Sequence, residues 1–296
     1  MSEGSSFGRL VLIGTGLIGG SLALALRVAG RVDCVVGVGR NRRTLEEARA
    51  LGIVDEIETD PARAVANADV VFVAVPVGAM AGVFAAIAPS LPAQALVTDG
   101  GSVKGEVVEA ARRTFGARLE QFVPGHPIAG TEKSGPSAAF AGLYRNRRVI
   151  LTPLPENHAA QVARARDLWT AAGARVEQMD PARHDYLLAA TSHLPHVIAY
   201  ALVNALGGLD ERREVFRYAA GGFRDISRIA SSDPRMWRDI CLANREQLLS
   251  MIGRFHAGLE EIESALRAHD GEALEELFGQ AKTIRDGLYR EDEGGN

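Results

Sequence analysis

Two hydrophobic patterns divide the chain near residue 179. Before that point, short runs of Val, Ile and Leu alternate with stretches of helical periodicity. The runs are predicted strands, at 10–13, 34–38, 70–75 and 96–98. The stretches between them are predicted helices, at 17–29, 44–51, 79–88 and 103–115. Near-continuous apolar strands between helices indicate a parallel sheet covered on both faces. We therefore predict a doubly wound α/β domain over residues 1–179.

A later group of elements closes this first domain. Residues 148–152 (RVILT) form an apolar run, a helical stretch continues through Trp169, and another short run covers 175–178. Because they repeat the strand–helix–strand order of the preceding residues, we expect these elements to extend the same sheet.

From residue 180 onward the pattern is helical. Asp180-Pro181 and Asp233-Pro234 each place an aspartate at an N-cap and a proline at the first helical position. The helical stretches carry apolar faces wider than one small domain needs. The pattern therefore predicts an all-α domain over 180–296, through which we expect the chain to form a homodimer.

Two uncharged stretches superficially resemble membrane or signal segments. Glycines at 14, 16, 19 and 20 interrupt the stretch 10–26, and Pro76 with two glycines interrupts the stretch 70–91. Breaks of this kind favour a strand, a turn and a helix start over a continuous apolar helix. We therefore expect no membrane segment.

Composition narrows the functional classes. The chain has 296 residues, 47% of them hydrophobic, with a formal net charge of -4 and a pI near 6.0. This balance argues against a nucleic-acid partner. The two cysteines, Cys34 and Cys241, lie far apart and in no metal-ligand spacing, so we expect a cytoplasmic protein without a metal. No sequence motif of a P-loop kinase, a serine hydrolase or a zinc protease occurs.

A glycine turn predicts a dinucleotide site. Gly14, Gly16 and Gly19 fit the pattern G-x-G-x-x-G between a predicted strand and a predicted helix. The first glycine allows a tight turn, the second allows close approach of a pyrophosphate, and the third allows the helix to pack on the strand. We expect the intervening Leu17 and Ile18 to contact the cofactor through the start of the helix.

The end of the second predicted strand bears on which dinucleotide binds. An NAD site usually places an acidic residue there, but this chain has Gly39 followed by Arg40, with Arg43 nearby. Glycine leaves room for a 2′-phosphate, and the arginines can pair with it. The alternative is that these arginines are a solvated helix start. NADP is the preferred cofactor and NAD the second choice.

A single histidine stands out in the segment GHPIAGTEKSG, residues 125–135. His126 lies between a glycine and a proline in a polar segment, so we expect it to face a cleft and not to pack in a core. An imidazole titrates near neutral pH. The sequence thus predicts a proton-transfer group beside a hydride carrier.

Five segments together resemble one enzyme family. They are GTGLIGGSLA, DGGSVK, GHPIAGTEKSG, SHLPH and GGFRDISRIASSDPRMWRD, and they occur in this order along nearly the whole chain. The combination is similar to the prephenate and arogenate dehydrogenases of tyrosine biosynthesis. The resemblance implies a Rossmann-type parallel sheet with an all-α second domain, as in 6-phosphogluconate dehydrogenase. It also implies oxidative decarboxylation of prephenate, with arogenate as a possible second substrate.

The resemblance also implies roles for individual residues. His126 is the expected general base, and Ser102 hydrogen-bonds the same hydroxyl or orients the imidazole. Arg228 is expected to bind the ring carboxylate of the substrate. The other implied substrate contacts are His196, Gly221, Trp237, Thr131 and Glu132. The other implied cofactor contacts are Val75 and Pro76.

Several alternatives stay open at the level of sequence. Arg228 could instead cap a helix or pair with Asp225 or Glu132, and Lys104 is expected to be solvated. His193 is expected to be a buried structural histidine. An arogenate-specific enzyme, another two-domain reductase and a non-catalytic dinucleotide sensor are the competing functions. The usual helical-domain lysine of β-hydroxyacid dehydrogenases is absent from 180–205.

Overall fold

The computed structural model describes residues 5–131 and 133–293, with side chains described up to residue 287. The strands are β1 Arg9–Ile13, β2 Cys34–Val38, β3 Glu56–Glu58, β4 Val70–Val73, β5 Leu96–Asp99, β6 Phe122–Val123, β7 Gly125–Pro127, β8 Arg148–Leu151 and β9 Arg175–Gln178. The helices of the first part are α1 Leu17–Val28, α2 Arg42–Ala50, α3 Pro61–Val65, α4 Val77–Ile87, α5 Gly105–Phe115 and α6 Ala159–Ala171. The later helices are α7 Pro181–Leu188, α8 Leu194–Gly207, α9 Arg212–Arg217, α10 Gly221–Ser227, α11 Pro234–Ala243, α12 Arg245–Ala268 and α13 Gly271–Glu293.

Six parallel strands form the main sheet, in the order β3-β2-β1-β4-β5-β6. This order confirms the predicted doubly wound α/β fold. The chain reverses direction across the sheet between β1 and β4, and ligands of such folds bind outside the carboxyl ends of the strands at this point.

Both faces of the main sheet are buried, which explains the unbroken apolar strands. Leu10 and Leu12 of β1 pack with α1 and α6 on one face, whereas Val11 and Ile13 pack with α3, α4 and α5 on the other. Successive residues of a strand point to opposite faces. Each β1 residue from position 10 onward therefore contributes to one of two cores.

A second sheet contains strands β7, β8 and β9 in that order. The prediction that 148–152 and 175–178 extend the main sheet is therefore wrong. The main sheet ends at β6, which is two residues long, and Pro124 follows it without a backbone N–H to donate. Strand β7 then pairs antiparallel with β8, and His126 lies opposite Ile150.

The helical part begins as the sequence predicts. The Asp180 side chain accepts a hydrogen bond from the Arg183 N–H at the start of α7, and Asp233 accepts from the N–H groups of Arg235 and Met236 at the start of α11. No strand occurs after residue 180 within the described chain. Asn244 separates α11 from α12.

A π-helical turn, Ala189–His193, joins α7 to α8. The helical run 181–207 is the one described segment with the length and hydropathy of a membrane span, at mean hydropathy 1.3, and 22% of its most apolar window is buried. Residues 1–245 and 246–296 form two compact units, and the described part of the second consists of α12 and α13.

Helix α1 packs against β1 through glycines, and this contact is sterically tight. A Cβ on Gly19 would lie 2.2 Å from the Gly14 carbonyl oxygen and 2.6 Å from Leu12 Cδ1. A Cβ on Gly16 would have no atom within 4 Å. Packing therefore requires a glycine at the third position of the motif, Gly19, but not at the second, Gly16.

We expect Gly19→Ala to lower the free energy of unfolding. Alanine gains about 1 kcal/mol over glycine in a helix interior, but overpacking costs about 1–3 kcal/mol and here the clash is with backbone. Gly16→Ala is the matched control and should leave stability nearly unchanged. Urea denaturation of the two variants measures the difference, and equal midpoints would contradict the prediction.

Candidate active site

The glycine loop between β1 and α1 has the geometry of a pyrophosphate site. Gly14 has a φ of 101°, a conformation that favours glycine, and a Cβ there would lie 2.3 Å from the Ala74 carbonyl oxygen. Gly16 is the N-cap of α1 and provides no side-chain cap. The space above Gly16 and the uncapped amides of the helix start fit a bound dinucleotide phosphate.

The neighbouring residues predicted to contact the cofactor lie around this loop. Leu17 is buried in the core, and the Ile18 carbonyl accepts a hydrogen bond from the Tyr144 hydroxyl. Val75 is half-buried after β4, and Pro76 is the exposed N-cap of α4. Leu17 is thus positioned to contact a cofactor through its backbone.

The end of β2 is open to solvent. Gly39 is half-buried, whereas Arg40 and Arg43 are exposed. The Asn41 side chain caps α2 by accepting from the N–H groups of Arg43 and Thr44. Because Asn41 already caps this helix, neither arginine side chain is needed to start it.

His126 is more buried than the sequence predicts. It lies in β7 and is 9% exposed, and its Nδ1 is 2.9 Å from Nε2 of His184 in α7. His184 Nδ1 is in turn 2.7 Å from Asp185 Oδ1. The imidazole is therefore one member of a chain of polar side chains.

Asp185 anchors this chain of polar side chains to the start of α5. Its carboxylate accepts hydrogen bonds from the backbone N–H of Lys104 at 2.8 Å and of Gly105 at 2.7 Å. Gly105 is the first residue of α5, where backbone N–H groups lack partners within the helix. These bonds, together with the one from His184, lower the pKa of the Asp185 carboxyl against an opposing effect of burial.

A buried ion pair lies beside His126. Lys104 Nζ is 2.5 Å from Asp99 Oδ2 and 2.7 Å from the Gly125 carbonyl oxygen, and both charged side chains are fully buried. The prediction that Lys104 is solvated is wrong. Asp99 also accepts from the N–H of Gly125 at 3.0 Å, so the pair ties the end of β5 to the start of β7.

The environment keeps His126 neutral. Burial is the largest cause that lowers its pKa well below 6.5, and the charges of His184, Lys104 and His193 act in the same direction. The pKa of His184 is also lowered, again mainly by burial, although Asp185 opposes the effect. Burial lowers the pKa of His193 to about 4. Three neutral imidazoles therefore occupy this region at neutral pH.

Residues predicted to bind substrate form a second cluster. The His196 ring stacks on Trp237 with centroids 3.7 Å apart, and its Nδ1 is 2.9 Å from the Ser192 carbonyl oxygen. Burial, and after it the charge of Arg228, lower the pKa of His196, which places the guanidinium in its neighbourhood. Trp237 also contacts His193 edge-on, with centroids 6.0 Å apart. This cluster is thus linked to the His126 region through His193.

The remaining residues predicted to contact substrate lie in loops and at a helix start. Ser102 is half-buried in the loop from β5 to α5, two residues before Lys104. Gly221 is exposed as the first residue of α10, and Thr131 is exposed with its hydroxyl accepting from the Lys133 N–H. Glu132 lies outside the described residues.

Sequence reasoning missed several members of the buried network. Asp99, Lys104, His184, Asp185 and Asn244 are brought together from β5, α5, α7 and the end of α11. Asn244 Nδ2 donates to the Asp185 carbonyl oxygen and lies 3.1 Å from His193 Nδ1. The adjacent His184-Asp185 pair was the available clue. Among described residues, no group of three His, Cys, Asp or Glu has the geometry of a metal site.

Comparison with known proteins places the chain in one family. Residues 22–178 match the nucleotide-binding domain of prephenate dehydrogenase, and residues 180–280 match its dimerization domain. A cyclohexadienyl dehydrogenase from Zymomonas mobilis is 40% identical over 281 residues, which cover 94% of this chain and 95% of that protein.

Solved structures give the same result. Prephenate dehydrogenase from A. aeolicus, in complex with hydroxyphenyl propionate and NAD+, is 36% identical with a TM-score of 0.88, covering 98% of this chain and 99% of that one. Synechocystis arogenate dehydrogenase is 29% identical with a TM-score of 0.80, covering 95% and 99%. With both family domains matched in order along most of its length, the chain belongs to the prephenate dehydrogenase family.

Proposed function

We propose that this protein catalyses the oxidative decarboxylation of prephenate to 4-hydroxyphenylpyruvate and also accepts arogenate. The observation that carries the proposal is a neutral, buried imidazole, His126, on the strand that follows the carboxyl edge of a dinucleotide-binding sheet. Relatives named for cyclohexadienyl, prephenate and arogenate substrates support it. A nicotinamide cofactor, when bound, supplies the hydride acceptor.

The chemistry requires a base at the substrate hydroxyl. Loss of hydride from the hydroxyl carbon creates a carbonyl, and the hydroxyl proton must leave. His126 accepts this proton, a contribution of about 10²–10⁴-fold for a positioned general base. Ser102 hydrogen-bonds the same hydroxyl or the imidazole. Carbon dioxide then departs because its loss makes the ring aromatic.

The second cluster binds the substrate carboxylates. Arg228 pairs with the ring carboxylate, and the stacked His196 and Trp237 form an adjacent wall of the pocket. Gly221, Thr131 and Glu132 complete the proposed contacts. Binding by Arg228 must not tighten in the transition state, because the carboxylate loses its charge as carbon dioxide forms.

The cofactor is proposed to be NADP. Gly39 replaces the bulkier acidic residue of an NAD site, and Arg40 and Arg43 are exposed beside it. The pyrophosphate is held by the start of α1 and by the glycines of the turn, Gly14, Gly16 and Gly19. The residues around this loop are Leu17, Ile18, Val75 and Pro76. The arginine charges provide the preference for a 2′-phosphate.

The active protein is proposed to be a cytoplasmic homodimer with domains at 1–179 and 180–296. The family model over 180–280 describes a dimerization domain. Most of the apolar helical run 181–207 is not buried within one chain, and exposed apolar residues such as Phe278 and Ile284 occur on α13. A second copy would cover such surface. Cys34 and Cys241 are free thiols, as in a reducing compartment.

The pH dependence of kcat/KM tests the role of His126. Only neutral His126 accepts a proton, and the pKa of His126 is lowered. We therefore expect kcat/KM to stay level through neutral pH and to fall as the pH is lowered, with a midpoint below pH 6.5. His126→Asn should reduce kcat about 10²–10⁴-fold while cofactor binding is retained. A midpoint above 6.5, or an active variant, would exclude this role. Cofactor binding without turnover of either substrate by the wild type would indicate a sensor.

Arg228→Ala tests substrate binding. A hydrogen bond to a charged group contributes about 1.5–3 kcal/mol, so KM should rise about 10–100-fold with a smaller change in kcat. Arg224→Ala, one helical turn earlier on α10, is the control and should leave KM unchanged. A kcat loss without a KM change would contradict the assignment.

Cofactor preference is tested by assaying both substrates with NADP+ and NAD+. The wild type should show the higher kcat/KM with NADP+. Arg40→Ala should reduce that value about 10–100-fold and leave the NAD+ value nearly unchanged. Arg42→Ala is a matched control, because Arg42 pairs with Glu46 at 2.9 Å. A wild-type preference for NAD+ would refute the proposal.

A further inference from the structure

We propose that His184, oriented by Asp185, is a positioning residue that holds the proton of His126 on Nδ1 and leaves Nε2 as the basic nitrogen. The inference rests on the proposed role of His126 and deepens it. It concerns two residues that do not belong to the predicted substrate or cofactor contacts.

Asp185 determines which nitrogen of His184 carries a proton. An ionised carboxylate only accepts hydrogen bonds, and hydrogen bonds from His184 and from the backbone keep Asp185 ionised by lowering its pKa. His184 Nδ1, 2.7 Å from Oδ1, must therefore carry a proton. Since His184 is neutral in this buried position, its Nε2 carries a lone pair.

The tautomer of His184 in turn determines which nitrogen of His126 carries a proton. His126 Nδ1 is 2.9 Å from the lone pair of His184 Nε2. Two lone pairs at hydrogen-bond distance repel, so His126 Nδ1 must donate. Neutral His126 then has its lone pair on Nε2. This nitrogen is the one that remains available to take a proton from a substrate hydroxyl.

Several hydrogen bonds hold Asp185, the residue that anchors this chain of polar side chains. Asp185 holds two N–H groups at the start of α5, and the Asn244 side chain donates to the Asp185 carbonyl oxygen at 2.8 Å. The partial positive charge of a helix start further favours the carboxylate. The Asp185 carboxylate therefore cannot turn away from His184 without breaking its hydrogen bonds to the N–H groups of Lys104 and Gly105.

The charges around His126 explain why the carboxylate is needed. Lys104 and His193 face His126 in addition to His184, and the positive charge of Lys104 disfavours an imidazolium. Asp99 pairs with Lys104 and compensates that charge in part. When His126 gains a proton, the Nδ1–H bond to His184 transmits the stabilising influence of Asp185.

Without the acceptor at His184, the His126 proton can occupy Nε2. In that tautomer the nitrogen that should accept the substrate proton is already protonated. An incorrect histidine tautomer in a triad lowers kcat by about 10⁴-fold in a serine protease. The expected effect here is a loss of kcat with little change in KM, because His184 does not contact substrate.

The test compares His184→Gln with His184→Leu in the full-length protein. Glutamine keeps an oxygen that can accept from His126 Nδ1, whereas leucine has a similar volume and no acceptor. Long-range ¹⁵N NMR of histidine-labelled protein at pH 7.5 reports which nitrogen of each ring is protonated, and His126→Asn identifies the His126 signals. His158→Gln is the control, because His158 is an exposed histidine paired with Glu120.

The expected wild-type spectrum shows His126 protonated on Nδ1. His184→Gln should keep this tautomer and lose less than about tenfold in kcat, and His158→Gln should resemble the wild type. His184→Leu should move the proton to Nε2 and lower kcat about 10²–10⁴-fold, with little change in KM. The acid limb of its pH profile should shift as well, which a purely structural defect would not produce.

Two results would overturn the inference. One is a wild-type His126 protonated on Nε2, a measurement that stands even if His184→Leu fails to fold. The other is a folded His184→Leu that keeps the Nδ1 tautomer and the wild-type kcat. The tautomer is measured without turnover, so a wild type that shows the Nδ1 tautomer but oxidises neither substrate refutes the proposed function alone.

Discussion

The fully buried ion pair between Asp99 and Lys104 is the interaction on which the site depends. It joins the end of β5 to the start of β7 and fixes the backbone that carries His126. A buried pair need not add net stability, but loss of one partner leaves an uncompensated charge at a cost of about 3–5 kcal/mol. The pair therefore couples the position of His126 to the stability of the fold.

Burial of His126 produces a balance between two requirements. Desolvation keeps the imidazole neutral, so it is ready to accept a proton, but the same desolvation weakens it as a base. A general base works best when its pKa is near the operating pH. The proposed path from His126 through His184 to a carboxylate would offset part of this cost, because it would stabilise an imidazolium that bulk water would otherwise solvate.

Much of the main fold could be predicted from sequence because local patterns determine it. Strands β1, β2, β4 and β5 lie within two residues of their predicted bounds, since burial on both faces makes each an unbroken apolar run. The edge strands β3 and β6 were missed because both are short, and β3 is also mostly polar. The separate sheet of β7, β8 and β9 was missed because strand pairing depends on partners distant in sequence.

The site was predictable only in part for a similar reason. The glycine turn and His126 are recognisable motifs, whereas the bond from His126 to His184 joins residues 58 positions apart. Burial of Lys104 could not be inferred, because a lysine in a polar loop is usually solvated and only its contact with Asp99 makes burial tolerable. Charge neutralisation across elements is a property of the folded chain.

The π-helical turn Ala189–His193 has a consequence for how the two halves of the site are aligned. It separates His184 and Asp185 on α7 from His196 on α8, and a widened turn changes the angular phase between side chains on either side. Removing one residue from an α-helix rotates everything beyond it by about 100°. The residues proposed for proton transfer and for substrate binding are thus set in register by a single irregular turn, and a length change there would alter the orientation of one group relative to the other.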